Sequence, residues 1–324
     1  MSTERRVTLV SHGPNCLDGL TCAVVATRYF SSTKINTVFA SNNEIDTVLQ
    51  GYCPDQPDSE QLWVTDISWR HDSTDAHLNN LVSDGLELYW VDHHKSAMDR
   101  RTEGHLDVRF TDFVLEDTYA ASRLLFEYLC ARAAKRGESR PGLLALRNLV
   151  MMADDVDRWN LDIEGSRELG LAVRAMDQVT AYRVLLSMDS RMTYGPELER
   201  AQEKVRSELK NTFELAERTR YVEDVATLGL KIVSAECDGY AGEVAHRWTD
   251  EFDDAVFAIY DHRTNGISLR RTQNSAVDLS RLAAAFDGGG HAAASGCNIP
   301  ASADNRTPEI ARKIADVLIR DQRP

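Results

Sequence analysis

Three places in the 324-residue sequence put aspartate and histidine directly behind a short apolar run. His12 and Asp18 follow Arg6–Val10 (RVTLV), Asp66 follows Gln61–Thr65 (QLWVT), and Asp92, His93 and His94 follow Glu87–Val91 (ELYWV). Carboxylates suit hard divalent ions, and imidazole moves the preference toward manganese or other transition metals. Two such ions about 4 Å apart generate a nucleophilic hydroxide and relieve charge on phosphoryl oxygens, which is what phosphoester hydrolysis demands. One carboxylate must then bridge the pair. Taken singly, each residue also suits a cap or a turn. Asp-His-His straight after four apolar residues is harder to assign to packing.

A second constellation lies near the C-terminal end. Gly288-Gly289-Gly290-His291 precedes Ala292-Ala293-Ala294-Ser295-Gly296. Consecutive glycines let backbone approach a ligand and expose its N–H groups. Ahead of Ala292–Ala294 the run reads as an anion cradle at a helix start, and by itself it reads equally well as a flexible loop.

The elements that carry these residues follow from periodicity. Arg6–Val10, Thr37–Ala40, Gln61–Thr65 and Glu87–Val91 read as buried strands alternating with helices such as Asp18–Tyr29, the pattern of a parallel α/β sheet. Ligands of open α/β sheets sit beyond the carboxyl ends of the strands, where these aspartates and histidines fall. Leu115–Lys135 and Pro141–Ala153 read as longer helices, the second with proline at a first helical position. Pro196–Arg218 is polar and strongly helical, with one solvated face. It reads as a connector between domains or as a contact in a homodimer, and the helical stretch 165–218 serves as spacer, lid or interface. From Val225 a smaller α/β domain begins: strands at Leu228–Ala235, Ala255–Tyr260 and Gly266–Arg271, helices at Tyr240–Trp248, Leu279–Phe286 and Pro308–Ile319. Asn265-Gly266 marks a hairpin turn.

The bulk properties narrow the substrate. The chain is long enough for two medium domains with their own cores. Its net charge is −14. A protein gripping long nucleic acid usually shows a broad basic face, so the expected partner is a short anionic phosphorylated substrate, won locally by metal ions and a few arginines. No apolar run approaches the roughly 20 residues of a membrane helix, and the N-terminus lacks a signal-peptide pattern; the expectation is a cytoplasmic enzyme with no membrane partner. The six cysteines (16, 22, 53, 130, 237, 297) contain no C-x-x-C pair, which argues against a structural zinc site or a disulfide framework.

Here a resemblance becomes specific. Val91-Asp92-His93-His94-Lys95 resembles the name-giving motif of the DHH phosphoesterase superfamily. His12-x-x-x-Cys16-x-Asp18-Gly19 resembles its first motif, normally His-x-x-x-Asp-x-Asp-Gly. Thr65-Asp66-Ile67 resembles its second and Met152–Trp159 (MADDVDRW) its fourth. The motifs come in family order over nearly the whole chain. The resemblance implies a divalent cofactor, manganese above all, as one or two ions. Asp66 would bridge them, with His12 on one ion and Asp18, His93 and Asp155 on the other. Among Asp154, Asp155 and Asp157, the tryptophan spacing favours Asp155. Asp92 would steer an imidazole and His94 would face the phosphate.

Cys16 stands where the family has aspartate. A thiolate suits zinc or ferrous iron better than manganese. Either Cys16 ligates a metal beside His12 and softens that site, or that site binds weakly and one ion dominates, or the protein is inactive. On the first reading, Cys16→Asp raises manganese occupancy.

Gly288–His291 resembles the GGGH motif of the DHHA1 substrate domain, and Ser268-Leu269-Arg270-Arg271 and Val277-Asp278-Leu279-Ser280 resemble its run-up. By that resemblance Arg270 pairs a substrate phosphate, Gly288, Gly289 and Gly290 contact the substrate, and His291 faces the scissile group, making Asp92, His94 and His291 the catalytic candidates. Planar guanidinium binds phosphate bidentately, and strand alternation turns Arg271 to the opposite face. The implied layout is DHH domain 1–195, helical connector 196–224 and DHHA1 domain 225–324, with the active site in the cleft between two α/β domains. The implied activity is hydrolysis of short oligonucleotides, linear dinucleotides or 3′-phosphonucleotides by metal-activated water. The GGGH run separates this branch from family II pyrophosphatases, which share Asp-His-His-Lys. Alternatives are an exopolyphosphatase-like phosphoanhydride hydrolase and a nucleotide-sensing protein without turnover.

Overall fold

The computed structural model describes residues 6–321 apart from positions 32 and 34. Contacts divide the chain into two units, Met1–Val205 and Arg206–Pro324.

In the first unit, strand β1 (Arg6–His12) is buried at five consecutive positions, because helices cover both faces of a parallel sheet. It is followed by α1 (Leu17–Tyr29), β2 (Ile35–Ala40), α2 (Ile45–Gln50), β3 (Glu60–Thr65), α3 (Asp72–Ser83), β4 (Glu87–Asp92), α4 (Lys95–Thr102) and β5 (Asp112–Leu115). The strand order is β2-β1-β3-β4-β5 and every pairing is parallel. The chain moves from β1 outward to β2 and then returns to the other side of β1 with β3. The order therefore reverses between β1 and β3, the position at which open α/β sheets bind ligands.

Side chains alternate between two cores. Leu9, Trp63 and Tyr89 face one core with Leu20, Leu125 and Leu149, whereas Val10, Val64 and Trp90 face another with Ile45, Leu49 and Leu78. Trp63 stacks on Tyr89 with centroids 4.1 Å apart, and Trp69 lies 4.9 Å from Trp90. Truncating any one of the fully buried tryptophans would cost about 3–5 kcal/mol. The unit continues through α5 (Ala121–Lys135), α6 (Pro141–Leu144), α7 (Arg147–Asp157), α8 (Ser166–Arg174) and α9 (Gln178–Ser187) into α10 (Pro196–Thr219).

The second unit holds β6 (Tyr221–Val225), β7 (Leu230–Cys237), α11 (Ala241–Trp248), β8 (Ala255–Asp261), β9 (Gly266–Arg271), α12 (Leu279–Ala284), β10 (Gly289–His291), β11 (Ala294–Cys297) and α13 (Arg306–Asp321). Its sheet runs β10-β11-β9-β8-β7-β6, with β7 and β8 parallel and the other pairs antiparallel. Asn265 takes a positive φ of 53° in the β8–β9 hairpin, a conformation asparagine tolerates.

Several expected elements shift for identifiable reasons. The helix expected over Leu115–Lys135 begins only at Ala121; Leu115 closes β5. Two aspartates fix that start, Asp154 accepting from Ala120 N at 2.7 Å and Asp18 from Ser122 N at 3.2 Å. The helix expected over Pro141–Ala153 is two pieces, α6 and α7. The stretch 196–224 is helical to Thr219 and then enters the second sheet as β6. No helix starts at Ala292: Gly289–His291 and Ala294–Cys297 form a tight hairpin instead. Among the described residues, no helix is long and apolar enough to cross a membrane.

Candidate metal centre

The centre begins at the carboxyl end of β1. His12 ends the strand, and α1 starts five residues later with Asp18 in its first turn. Helix and strand approach so closely here that a Cβ at position 19 would lie 2.2 Å from the His12 carbonyl oxygen and 3.1 Å from Asp66 Oδ2. Only glycine fits. Ser11 Oγ donates to the Gly19 carbonyl at 2.8 Å and accepts from Thr65 Oγ1 at 2.9 Å, tying β1, α1 and β3 together beneath the site.

Asp66 follows β3 with φ at 58°, a left-handed conformation uncommon outside glycine. Its amide donates to Val91 O at 3.0 Å, so β4 fixes the turn. The side chain is 1% exposed, and its two oxygens face different partners. Oδ2 lies 3.6 Å from His12 Nδ1 and 3.5 Å from Cys16 Sγ; Oδ1 lies 3.4 Å from His93 Nε2. His93 Nε2 is also 3.3 Å from Asp157 Oδ2. Three overlapping donor sets result, His12–Cys16–Asp66, Asp66–His93–His94 and Asp18–His93–Asp157, each with its ligand atoms within 4.8 Å of one another.

Asp92 ends β4 fully buried. Its Oδ1 accepts from the amides of His93 and His94 at 2.8 and 3.3 Å and lies 2.7 Å from His94 Nδ1. These contacts fix the turn that carries both histidines and hold the His94 ring.

The electrostatics show what the cluster lacks. Among the described residues, the ion-pair partners of Asp66 and Asp157 are histidines, and Asp18 has none. Burial pushes the Asp18 carboxyl well up, and Asp66 and Asp157 push it further. Desolvation raises Asp157 too, against the pull of His93. Burial also opposes charge on Asp66, but hydrogen bonding with His12 and His93 overrides it and holds Asp66 far below the usual carboxylate range. Against their own desolvation, His93 is pushed up to about 9, first by Asp66, and His94 to about 10, first by Asp92. Burial and the three carboxylates drive the Cys16 thiol up. Two carboxylates at this spacing repel by roughly 4 kcal/mol at an effective dielectric of 20. Protons hold such a cluster together without a cation; a divalent ion fits the same place and the same oxygen, nitrogen and sulfur donors.

Asp155 requires a correction. Its carboxylate accepts from the amides of Asp162 and Ile163 at 2.9 and 3.1 Å and from Ser166 Oγ, so it folds the loop after α7 and stands outside the three donor sets. Asp154 caps α5 and pairs with Arg123 at 2.9 Å. Asp157 is the member of the trio that reaches His93. His94, expected only to face phosphate, also joins a donor set.

In the second unit, the expected alternation holds. Arg270 shares a strand face with Ser268, donating to its Oγ at 3.0 Å, whereas Arg271 turns the other way to the carbonyls of Ala292 and Ser275. The glycine run serves packing more than the expected cradle. A Cβ on Gly288 would sit 2.2 Å from Gly296 O, and one on Gly290 (φ 141°) 2.7 Å from Ala294 O. At Gly289 it would meet nothing within 4 Å. His291 is exposed at the end of β10.

Residues 230–320 match the DHHA1 domain model. Over 303 residues the chain is 25% identical to the oligoribonuclease NrnB of Bacillus subtilis, covering 90% of this chain and 72% of that protein. Its fold is similar to that of PggH, a pGpG-specific phosphodiesterase from Vibrio cholerae (TM-score 0.59, 13% identity, 97% of this chain and 99% of that one). It is also similar to the exonuclease RecJ bound to manganese (0.58, 15%, 99% and 91%) and to an exopolyphosphatase-related protein from Bacteroides fragilis (0.55, 14%, 98% and 93%).

Proposed function

We propose that the chain belongs to the DHH superfamily, a reading its DHHA1 match and its similarity to NrnB support, and that it is a metal-dependent phosphodiesterase of short oligonucleotides or linear dinucleotides. One observation carries the reading. His12, Asp18, Asp66, His93, His94 and Asp157, delivered by three strand ends and a helix end, place their ligand atoms in overlapping sets around Asp66 with no lysine or arginine paired to the carboxylates among the described residues.

Bound divalent ions would supply charge neutralisation at the phosphoryl oxygens and a nucleophile at neutral pH. The protein's own groups do the rest. Asp66 spans the two halves of the centre through its two oxygens, and Asp18, His93 and Asp157 form one half. Asp92 fixes the His94 imidazole, which faces the phosphate. In the second unit, Arg270 pairs a substrate phosphate with its planar fork. The overall charge of −14 favours short substrates. NrnB and PggH, by their names, act on oligoribonucleotides and pGpG, which supports the nucleotide branch.

Trp159 favours that branch over phosphoanhydrides. It lies two residues past Asp157, is 39% exposed, and takes a positive φ of 56° in the loop that Asp155 pins. An exposed indole beside a phosphate-handling centre suits base stacking, which polyphosphate cannot use. The test is hydrolysis of pApA, pAp and polyphosphate with manganese, beside Asp66→Ala and Trp159→Ala. Cleavage of pApA that vanishes in Asp66→Ala is expected. Trp159→Ala should raise its KM about 5-fold or more, since base stacking contributes roughly 1–3 kcal/mol. Cleavage of polyphosphate alone would replace this reading with the phosphoanhydride one, and binding of pApA without product would make the protein a sensor.

A further inference from the structure

The two halves of the centre differ in chemistry. Around Asp66 Oδ2 stand an imidazole and a thiol; around Asp66 Oδ1 stand His93 and, beyond it, two more carboxylates. We propose that His12, Cys16 and Asp66 form a thiolate-bearing site for a soft or borderline ion (zinc, cobalt or ferrous iron) and that the centre takes two unlike metals, the Asp18–His93–Asp157 half holding a hard one such as manganese. The proposal rests on the reading of this cluster as a metal centre and adds which ion each half selects.

Cys16 occupies the N-cap position of α1 in extended conformation (φ −86°, ψ 123°). An N-cap side chain ordinarily turns back to a first-turn amide. Cys16 forms no side-chain cap hydrogen bond of ordinary geometry, although the Gly19 amide faces its sulfur, and that sulfur lies 3.5 Å from Asp66 Oδ2. His12 Nδ1 approaches the same oxygen at 3.6 Å, so nitrogen, sulfur and oxygen converge from β1, α1 and β3. Among the described residues, no other cysteine joins such a donor set. Cys22, Cys237 and Cys297 are buried, as structural thiols usually are.

Donor softness then sorts the ions. Thiolate and imidazole select zinc, cobalt or ferrous iron, whereas a set with two carboxylates and one imidazole accepts manganese or magnesium. Ligation replaces the thiol proton: the S–H bond breaks, the sulfur pair forms the metal bond, and the proton leaves to solvent. Asp66, facing each half with a different oxygen, can serve both without a change of rotamer.

The full-length chain, stripped of metal, is titrated with cobalt alone and watched in the near ultraviolet, where a cobalt–thiolate bond gives a charge-transfer band. The band should grow to one equivalent in the wild type and be absent in Cys16→Ser and Cys16→Asp, with unchanged circular dichroism. Loading from an equimolar zinc and manganese mixture should leave one of each by elemental analysis. Cys16→Asp should lower the zinc-to-manganese ratio by about 10-fold or more, the scale on which ligand-sphere changes alter metal affinity. Cobalt binding without the band, a band that survives Cys16→Ser, or an unchanged metal ratio in Cys16→Asp would each overturn the proposal while leaving the phosphodiesterase reading intact. If neither cobalt nor manganese binds at all, the metal-centre reading falls with it.

Discussion

The acidic centre of the first unit and the glycine hairpin of the second use their motif residues in opposite ways. In the first, side chains face one another: two carboxylates, three histidines and a thiol crowd around Asp66, and histidines are the ion-pair partners of Asp66 and Asp157. In the second, two of the glycines expected to contact substrate are used by the backbone instead. Gly288 and Gly290 let β10 lie against β11, and Arg271 holds the carbonyls of Ala292 and Ser275. The difference recurs within the aspartates. Asp154 and Asp155 sit in the same motif as Asp157, yet amides, a hydroxyl and an arginine satisfy them. A carboxylate surrounded by N–H donors is a structural part; one surrounded by other carboxylates is a site waiting for a cation.

The sharpest way to break this contrast is to exchange the two neighbours. Asp157→Asn should lower activity and manganese affinity by about 10- to 100-fold with little change in stability, because it removes a repelled charge. Asp155→Asn should keep more activity but destabilise the fold by about 1–3 kcal/mol, since a buried acceptor of three bonds is weakened. Metal binding by calorimetry and thermal melts of both variants check this. If Asp155→Asn loses metal while Asp157→Asn does not, the assignment reverses.

A smaller effect is expected in the hairpin. Gly288→Ala should cost about 1–3 kcal/mol through overpacking against Gly296, lowering the melting temperature by several degrees. Gly290→Ala adds strain at φ 141°. Gly289→Ala, with open space around its Cβ, should stay within about 0.5 kcal/mol of wild type, and any rise in its KM would then report substrate contact. Equal melting temperatures for all three would mean that the glycines are not there for packing.

Much of this was legible in the sequence. Four of the five strands of the first sheet read correctly, helped where burial on both faces leaves a largely apolar run, as in Gln61–Thr65 and Glu87–Val91. His12, Cys16, Asp18, Asp66 and His93 stand together because strand ends bring them to one edge. The choice between Asp155 and Asp157 was not legible: both lie in the last turn of α7, and what separates them is the loop at 158–163, whose amides fold back onto Asp155. Nor could composition show that Ala292–Ala294 turns back as a hairpin. Alanine favours helix, but Leu279 N bonds the Ala292 carbonyl and β9 pairs with β11, so tertiary contacts override local propensity.

A graded effect of pH tests whether protons stand in for metal in the first unit. His93 and His94 have folded values of about 9 and about 10, raised by carboxylates against the pull of desolvation. A histidine whose folded value lies above its unfolded one, about 6.5, contributes stability that is complete below that unfolded value. The contribution is lost as pH rises through the folded value. The metal-free protein should therefore lose stability between about pH 6.5 and 10, by roughly 1–2 kcal/mol after solvent screening. Asp18, also raised, acts in the same direction, losing its contribution as pH climbs through its elevated folded value. A divalent ion that displaces those protons should flatten the slope, because the cation neutralises the carboxylates at any pH and binds more tightly as the imidazoles deprotonate. Melting curves at fixed ionic strength, with chelator and then with manganese, measure both slopes. A metal-free protein whose stability holds or rises up to pH 10 would show that the carboxylates do not need the histidine protons, and the contrast between the two units would lose its electrostatic basis.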